Sequence, residues 1–114
     1  MYYENITEQI IKKYKLKNIN IKFKNQNKGW SRLSGSISIP LWAKEKGNAF
    51  FLYYIIHELV HQIIYKKYSH WKHNKDFKRI ERKILREYNL EIKYARAYPK
   101  ALINKQGKEV YRDK

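Results

Sequence analysis

Apolar residues recur with a helical period at the start of the chain, where Tyr3, Ile6, Ile10 and Tyr14 stand at i, i+3, i+7 and i+11. That spacing predicts an amphipathic helix over residues 2 to about 15, with one stripe toward a core and Lys12 and Lys13 outside. The period then changes to two. Ile19, Ile21 and Phe23 alternate with Asn20, Lys22 and Lys24, the pattern of a strand with one wet face over residues 18–24. After a polar loop over residues 25–29, Leu33, Ile37, Ile39 and Leu41 alternate with Ser34, Ser36 and Ser38. This predicts a second extended stretch closed by Pro40, with Gly35 at a bulge or bend. The two stretches are expected to form a small antiparallel sheet with one face under a helix. Its outer edge would be open to pairing with an extended peptide.

From Ala49 to Tyr68 the chain reads AFFLYYIIHELVHQIIYKKY, apolar on nearly every side. Such a stretch predicts a helix enclosed by the rest of the fold. Gly47 and Asn48 supply a stop and an N-cap, and Lys66 and Lys67 place positive charge in the last turn. A short connection over residues 69–73 leads to a further helix, capped by Asn74 or Asp76 and running to about Tyr88. There Phe77, Ile80, Ile84 and Tyr88 face inward, while Lys75, Lys78, Arg79, Arg82, Lys83 and Arg86 form a cationic strip outside. Glu81 breaks the pattern. It falls about 40° from Phe77 on a helical wheel, inside the apolar arc, and needs a cation, a histidine or a metal there. Residues 90–114 are expected to hold a weak strand at 91–95 and a hairpin pairing 101–103 with 109–111 about a turn at Gln106 and Gly107. The whole reads as one α+β domain.

The enclosed helix carries His57, Glu58 and His61 as H-E-L-V-H. Histidines four apart share a helix face and can direct two imidazole nitrogens at one ion. Glu58 sits about 100° further round, beside the metal, where a general base for an attacking water stands. It would take a proton from that water and return it to the leaving amine. A bland alternative is a pair of core histidines satisfied by backbone or carboxylate partners, although a buried glutamate between them would then need a partner too. A second oxyanion donor is expected, and Tyr65, Arg96 and Tyr98 are candidates among many tyrosines and arginines.

Composition narrows the chemistry. The 114 residues include no cysteine, which excludes disulfides, thiolate zinc ribbons and a cysteine nucleophile. The N-terminal residues are too polar for a signal peptide, and no run approaches the roughly 18 apolar residues of a membrane span, so a cytoplasmic location without membrane contact is expected. Lys and Arg number 26 against 10 Asp and Glu, a net charge of +16 that suggests a polyanion such as DNA or a nucleoprotein. A biased coding composition rich in Lys, Asn, Ile and Tyr would give a similar excess. Against that, Asp occurs only twice.

A catalytic zinc usually takes three protein ligands and keeps a fourth position for water. His73, His70 or Glu81 could complete the set. Lys67 stands six residues past His61, where a metzincin places its third ligand. Glu81 lies 20 residues past His61, a gluzincin-like spacing, but its surroundings IERKI lack the usual N-E-x-x-x-D run.

His57-Glu58-Leu59-Val60-His61 followed by His73-Asn74-Lys75-Asp76-Phe77 resembles the HExxH and later H-x-x-x-F motifs of the SprT-like metallopeptidases and the related YgjP-like (DUF45) proteins. Gly35, Ile37, Ile39 and Leu41 resemble the strand that precedes the motif helix in that group. The resemblance covers roughly residues 19–88. It implies a zincin-like fold, a Zn2+ cofactor held by His57, His61 and His73, and Glu58 as catalytic base. Glu81 would then orient a ligand imidazole. It also implies proteolysis of protein or peptide substrates, including proteins bound to DNA. Many members follow the later histidine with Gly or Ser where this chain has Asn74, and many carry a cysteine zinc ribbon that is absent here. Nucleic-acid contact would then fall to the strip from Lys75 to Arg86. The rival reading is a non-catalytic nucleic-acid-binding module with a structural or lapsed zinc site, in which His70 supplies a fourth ligand.

Overall fold

A computed structural model of the chain describes residues 2–95 and 99–113, without the side chain of Tyr2. Its elements in chain order are α1 (Tyr2–Lys13), β1 (Asn20–Lys24), β2 (Trp30–Ser31), β3 (Ser36–Pro40), α2 (Trp42–Glu45), α3 (Asn48–Tyr68), α4 (Lys75–Glu87), β4 (Leu90–Tyr94), β5 (Pro99–Asn104) and β6 (Glu109–Arg112). The architecture is α+β, with four helices and two small sheets among the described residues.

The long helix α3 is the axis of the fold. Twelve of its residues are buried, and α1, α2, α4, β2, β3 and β6 all pack against it. Its start differs from the sequence reading: Gly47, at φ 102°, is the N-cap, and Asn48 is already helical with no side chain capping the turn. It ends where Ser69 turns left-handed at φ 58° and donates its N–H to the Tyr65 carbonyl. Along its flank, Ile6 and Ile10 of α1 enter the core. Lys66 donates to the Tyr14 and Lys15 carbonyls and so satisfies the frayed end of α1.

The first sheet corrects the antiparallel expectation. Its order is β1-β3-β2, with β1 parallel to β3 and β2 antiparallel to β3. After β1 the chain runs past the place β3 will occupy, forms β2 as an outer edge and turns back, so β3 is inserted as the central strand. The turn rests on Gly35, at φ +95°, where an added Cβ would press on the Asn18 carbonyl. Leu33 sits in that turn and is 67% exposed, and Leu41 is exposed beyond the strand, so neither shares the inward face of Ile37 and Ile39. Ser38 is buried instead, because its hydroxyl donates to the Gln26 side chain at 2.6 Å across the other face.

The antiparallel sheet lies in the C-terminal part, in the order β4-β5-β6. Leu90 and Ile92 bury one face under α4, and β6 reaches α3. Asn74, and not Asp76, caps α4: its side-chain oxygen accepts from the Phe77 N–H at 3.1 Å. Tyr88 is the C-cap of α4 and only half-buried, while Leu85 takes a core position. Among the described residues no helix is long and apolar enough to cross a membrane.

Candidate metal centre

His57 and His61 stand one turn apart on the buried length of α3. The reversal at Ser69 brings the connection back along the helix, and Trp71 stacks on Tyr65 at 4.8 Å to hold it there. His73 is thereby delivered to the same place. Its Nε2 lies 3.1 Å from His57 Nε2 and 3.0 Å from His61 Nε2. The three ligand atoms lie within 4.8 Å of one another, so the cluster could hold a metal ion.

Phe77 explains why an aromatic residue one turn after His73 matters. It is buried, and its ring centroid lies 5.0, 4.6 and 4.8 Å from those of His57, His61 and His73. One apolar platform therefore supports all three imidazoles. The Asn74 cap fixes where α4 begins, so that Phe77 in its first turn follows closely on His73 of the connection.

Proton bookkeeping at the cluster also favours a cation. His57 Nδ1 lies 2.6 Å from Glu81 Oε2, so its proton belongs on Nδ1 and its Nε2 presents a lone pair. His73 Nε2 has one proton at most to share with two neighbouring nitrogens. Without a cation, that nitrogen can therefore complete only one of the two contacts as an ordinary hydrogen bond. Burial, followed by the charges of His57 and His73, pushes His61 down to about 3. Burial and His57 also lower His73. Both are thus neutral and available as ligands. Burial pulls His57 down too, but Glu81 outweighs it and the net shift is upward.

Glu81 has the partner its helical position demanded. It is 0% exposed, it accepts from Tyr94 Oη at 2.5 Å on one oxygen, and it holds His57 on the other. Tyr53 Oη lies 3.3 Å from the same His57 nitrogen. Burial, reinforced by Glu81, raises both tyrosines, so each remains a neutral phenol. Tyr53 was legible from its position four residues before His57. Tyr94 was legible only as the third inward residue of the Leu90, Ile92, Tyr94 alternation.

Glu58 is 5% exposed and lines the same cleft as the three histidines. Burial raises its carboxyl to about 7, against a lowering by His57. The cleft encloses about 640 Å³. Ser31 donates to the Glu58 carbonyl at 3.1 Å, and Gln62 donates to Ser31 Oγ and to the Arg32 carbonyl, each at 2.7 Å. These bonds hold the edge strand β2 beside Glu58.

Other candidates fall elsewhere. His70 accepts from the Lys72 N–H at 3.1 Å and lies beside Asn74, outside the cluster. Tyr65 does not line the cleft. Arg96 and Tyr98 lie outside the described residues. Lys75, Lys78, Arg79, Arg82, Lys83 and Arg86 share the outer face of α4, and none of them lines the cleft. Arg79 meets Asp76 and Arg86 meets Glu91, while Lys78 and Arg82 stand over the Tyr94 ring. Comparison of the chain with protein-family models, with curated proteins and with solved structures finds no match.

Proposed function

We propose that this chain is a zinc-dependent metallopeptidase of the HExxH type with a zincin-like arrangement, akin to the SprT-like and YgjP-like proteins its motifs resemble. The observation that carries the proposal is the meeting of three imidazole Nε2 atoms beside a buried carboxylate in one cleft. His57, His61 and His73 would hold the ion. Two of the three Nε2 separations, 3.0 and 3.1 Å from His73, come near the roughly 3.3 Å between nitrogens of a tetrahedral site with bonds of about 2.0–2.1 Å, and all three atoms lie within 4.8 Å of one another. When bound, zinc supplies a Lewis acid that acidifies water and polarises a carbonyl. Glu58 takes a proton from the attacking water and hands it to the leaving amine. Glu81 keeps the His57 proton on Nδ1 and the ring in its orientation, and Tyr94 holds Glu81.

Among the described residues no fourth protein group joins the cluster. Structural zinc sites usually fill all four positions with protein. The His70 that would close this one is engaged elsewhere, which supports an enzyme over a non-catalytic module. Zinc-loaded protein is expected to hydrolyse an unfolded protein substrate, to stop on chelation and to resume when zinc is returned. Hydrolysis indifferent to the chelator would remove the reading.

The support for His57 has its own test. Glu81→Ala should weaken zinc binding ~10 to 100-fold in a chelator competition. Tyr94→Phe, which keeps the ring and loses one hydrogen bond, should weaken it less. Equal affinity in all three proteins would leave Glu81 with a packing role alone.

A second reading concerns the cationic strip. Lys75 and Lys83 form no ion pair among the described residues, and six cations on one exposed helix face suit nucleic-acid phosphates. Each phosphate engaged contributes ~0.9 to the slope of log K against log salt, so binding through most of the strip gives a slope of about −4 to −5. Lys75→Glu with Lys83→Glu should weaken DNA binding at low salt and leave zinc content unchanged. DNA binding as tight as wild type in that variant would make the strip an ordinary solvated face.

A further inference from the structure

The cleft extends beyond the metal centre, and its far end is built from aromatic rings. Phe50 lies at the middle of that end. Its ring centroid is 4.6 Å from Tyr111, 5.9 Å from Trp42 and 5.9 Å from Tyr54. These residues come from α2, α3 and β6, and all four line the same cleft as His57 and Glu58.

Two polar atoms of this wall already have partners within the chain. Tyr54 Oη accepts from the Gly29 N–H at 2.8 Å, and Trp42 Nε1 donates to the Asn27 carbonyl at 2.9 Å. The approach of Gly29 is so close that an added Cβ would collide with the Tyr54 ring and stand 2.9 Å from the Ser38 carbonyl. Most of what the wall offers a ligand is ring face and ring edge. An aromatic wall can also receive a cation, and two lysines of the chain already stand at this one. Lys46 stands 5.9 Å from the Trp42 centroid, and Lys28 lines the same cleft. Arg32 covers the neighbouring Trp30 at 4.1 Å. Asp113 lines the cleft too, beside Tyr111, so the charge at this end is mixed and the rings set the preference.

Distance along α3 sets where this wall stands relative to the metal. Tyr54 precedes Glu58 by one turn and Phe50 by two, about 6 and 12 Å at a rise of about 1.5 Å per residue. An extended peptide advances about 3.3 Å per residue. The wall is therefore within reach of a side chain two to four residues from a bond placed at Glu58.

We propose that the aromatic end of the cleft is a subsite for one large apolar side chain of the substrate, such as phenylalanine or leucine, two to four residues from the bond cut. The assignment rests on the peptidase reading for its register, while the pocket and its preference stand on the rings themselves. Burying a phenyl ring against such a wall should favour a phenylalanine peptide over its alanine counterpart on the order of tenfold or more.

The experiment uses a set of peptides identical except at one position, scanned two to four residues to either side of a fixed bond and filled with Phe, Leu, Ala or Lys. Binding is read on zinc-loaded Glu58→Gln protein, and cleavage on zinc-loaded wild type. The expected order is Phe and Leu over both Ala and Lys at one position of the scan. Trp42→Ala and Tyr111→Ala should each collapse the Phe-to-Ala ratio while zinc content stays at wild-type level, which reports that the fold is intact. Preferential binding of the Phe peptide without cleavage by wild type would sink the peptidase reading and keep the subsite. Cleavage with no preference among Phe, Ala and Lys at any position would sink the subsite and keep the peptidase. A preference that survives in both ring variants would also overturn the assignment.

Discussion

His73→Ala protein is expected to fold normally and to hold little or no zinc. His73 is exposed on a connecting segment, and its loss removes one of three converging nitrogens without opening the core. The fall in affinity should exceed the ~10 to 100-fold expected for a supporting residue such as Glu81. His57→Ala and His61→Ala should abolish zinc retention too, with a further consequence for His57. Removing that ring strands the Glu81 carboxylate, which is 0% exposed and would keep only Tyr94 as a donor. Breaking a buried pair in this way costs roughly 3–5 kcal/mol. The metal-free form of His57→Ala should therefore melt well below the metal-free wild type, whereas metal-free His73→Ala should not. Metal analysis and thermal melts of the three variants check both statements. If Glu81→Ala empties the site and His73→Ala does not, the ligand set is His57, His61 and Glu81.

The second large effect is expected from Glu58→Gln. Glutamine keeps the length and a hydrogen-bonding oxygen but accepts no proton at neutral pH. Turnover should fall ~10²- to 10⁴-fold, the range for loss of a positioned general base, with KM little changed and zinc content at wild-type level. Stability should hold or rise. Glu58 is 5% exposed and burial is the leading cause of its raised pKa, so a neutral amide is easier to bury there than a carboxylate. Steady-state kinetics with a short peptide, alongside metal analysis, separates these expectations. Turnover equal to wild type would show that another group takes the proton.

Local periodicity made part of this molecule readable. The apolar run around His57 and His61 implied a buried helix, because a helix that is apolar on every side has no stable place at the surface. Glu81 inside the apolar arc of α4 implied a partner for the same reason of burial, and Asn74 before Phe77 implied a cap. The strands near residues 91 and 101–111 followed from alternation and from Gly107, whose φ of +81° suits the turn. Each of these depends on residues within a turn or two of one another.

Tertiary structure decided what depends on residues far apart. The Ser34–Ser38 alternation marked a strand, but pairing partners are chosen by which edges meet. β3 lies between β1 and β2, so Ser38 is buried and Leu33 is left in a turn. His73 joins His57 and His61 because Ser69 reverses the chain and Phe77 packs under all three rings, and no spacing rule separates that outcome from one using His70. Tyr94 reaches Glu81 only because β4 packs on α4. The aromatic end of the cleft is assembled from Trp42, Phe50, Tyr54 and Tyr111, drawn from three elements. Phe50 and Tyr54 stand one turn apart on α3, but Trp42 and Tyr111 join them only because α2 and β6 pack against that helix.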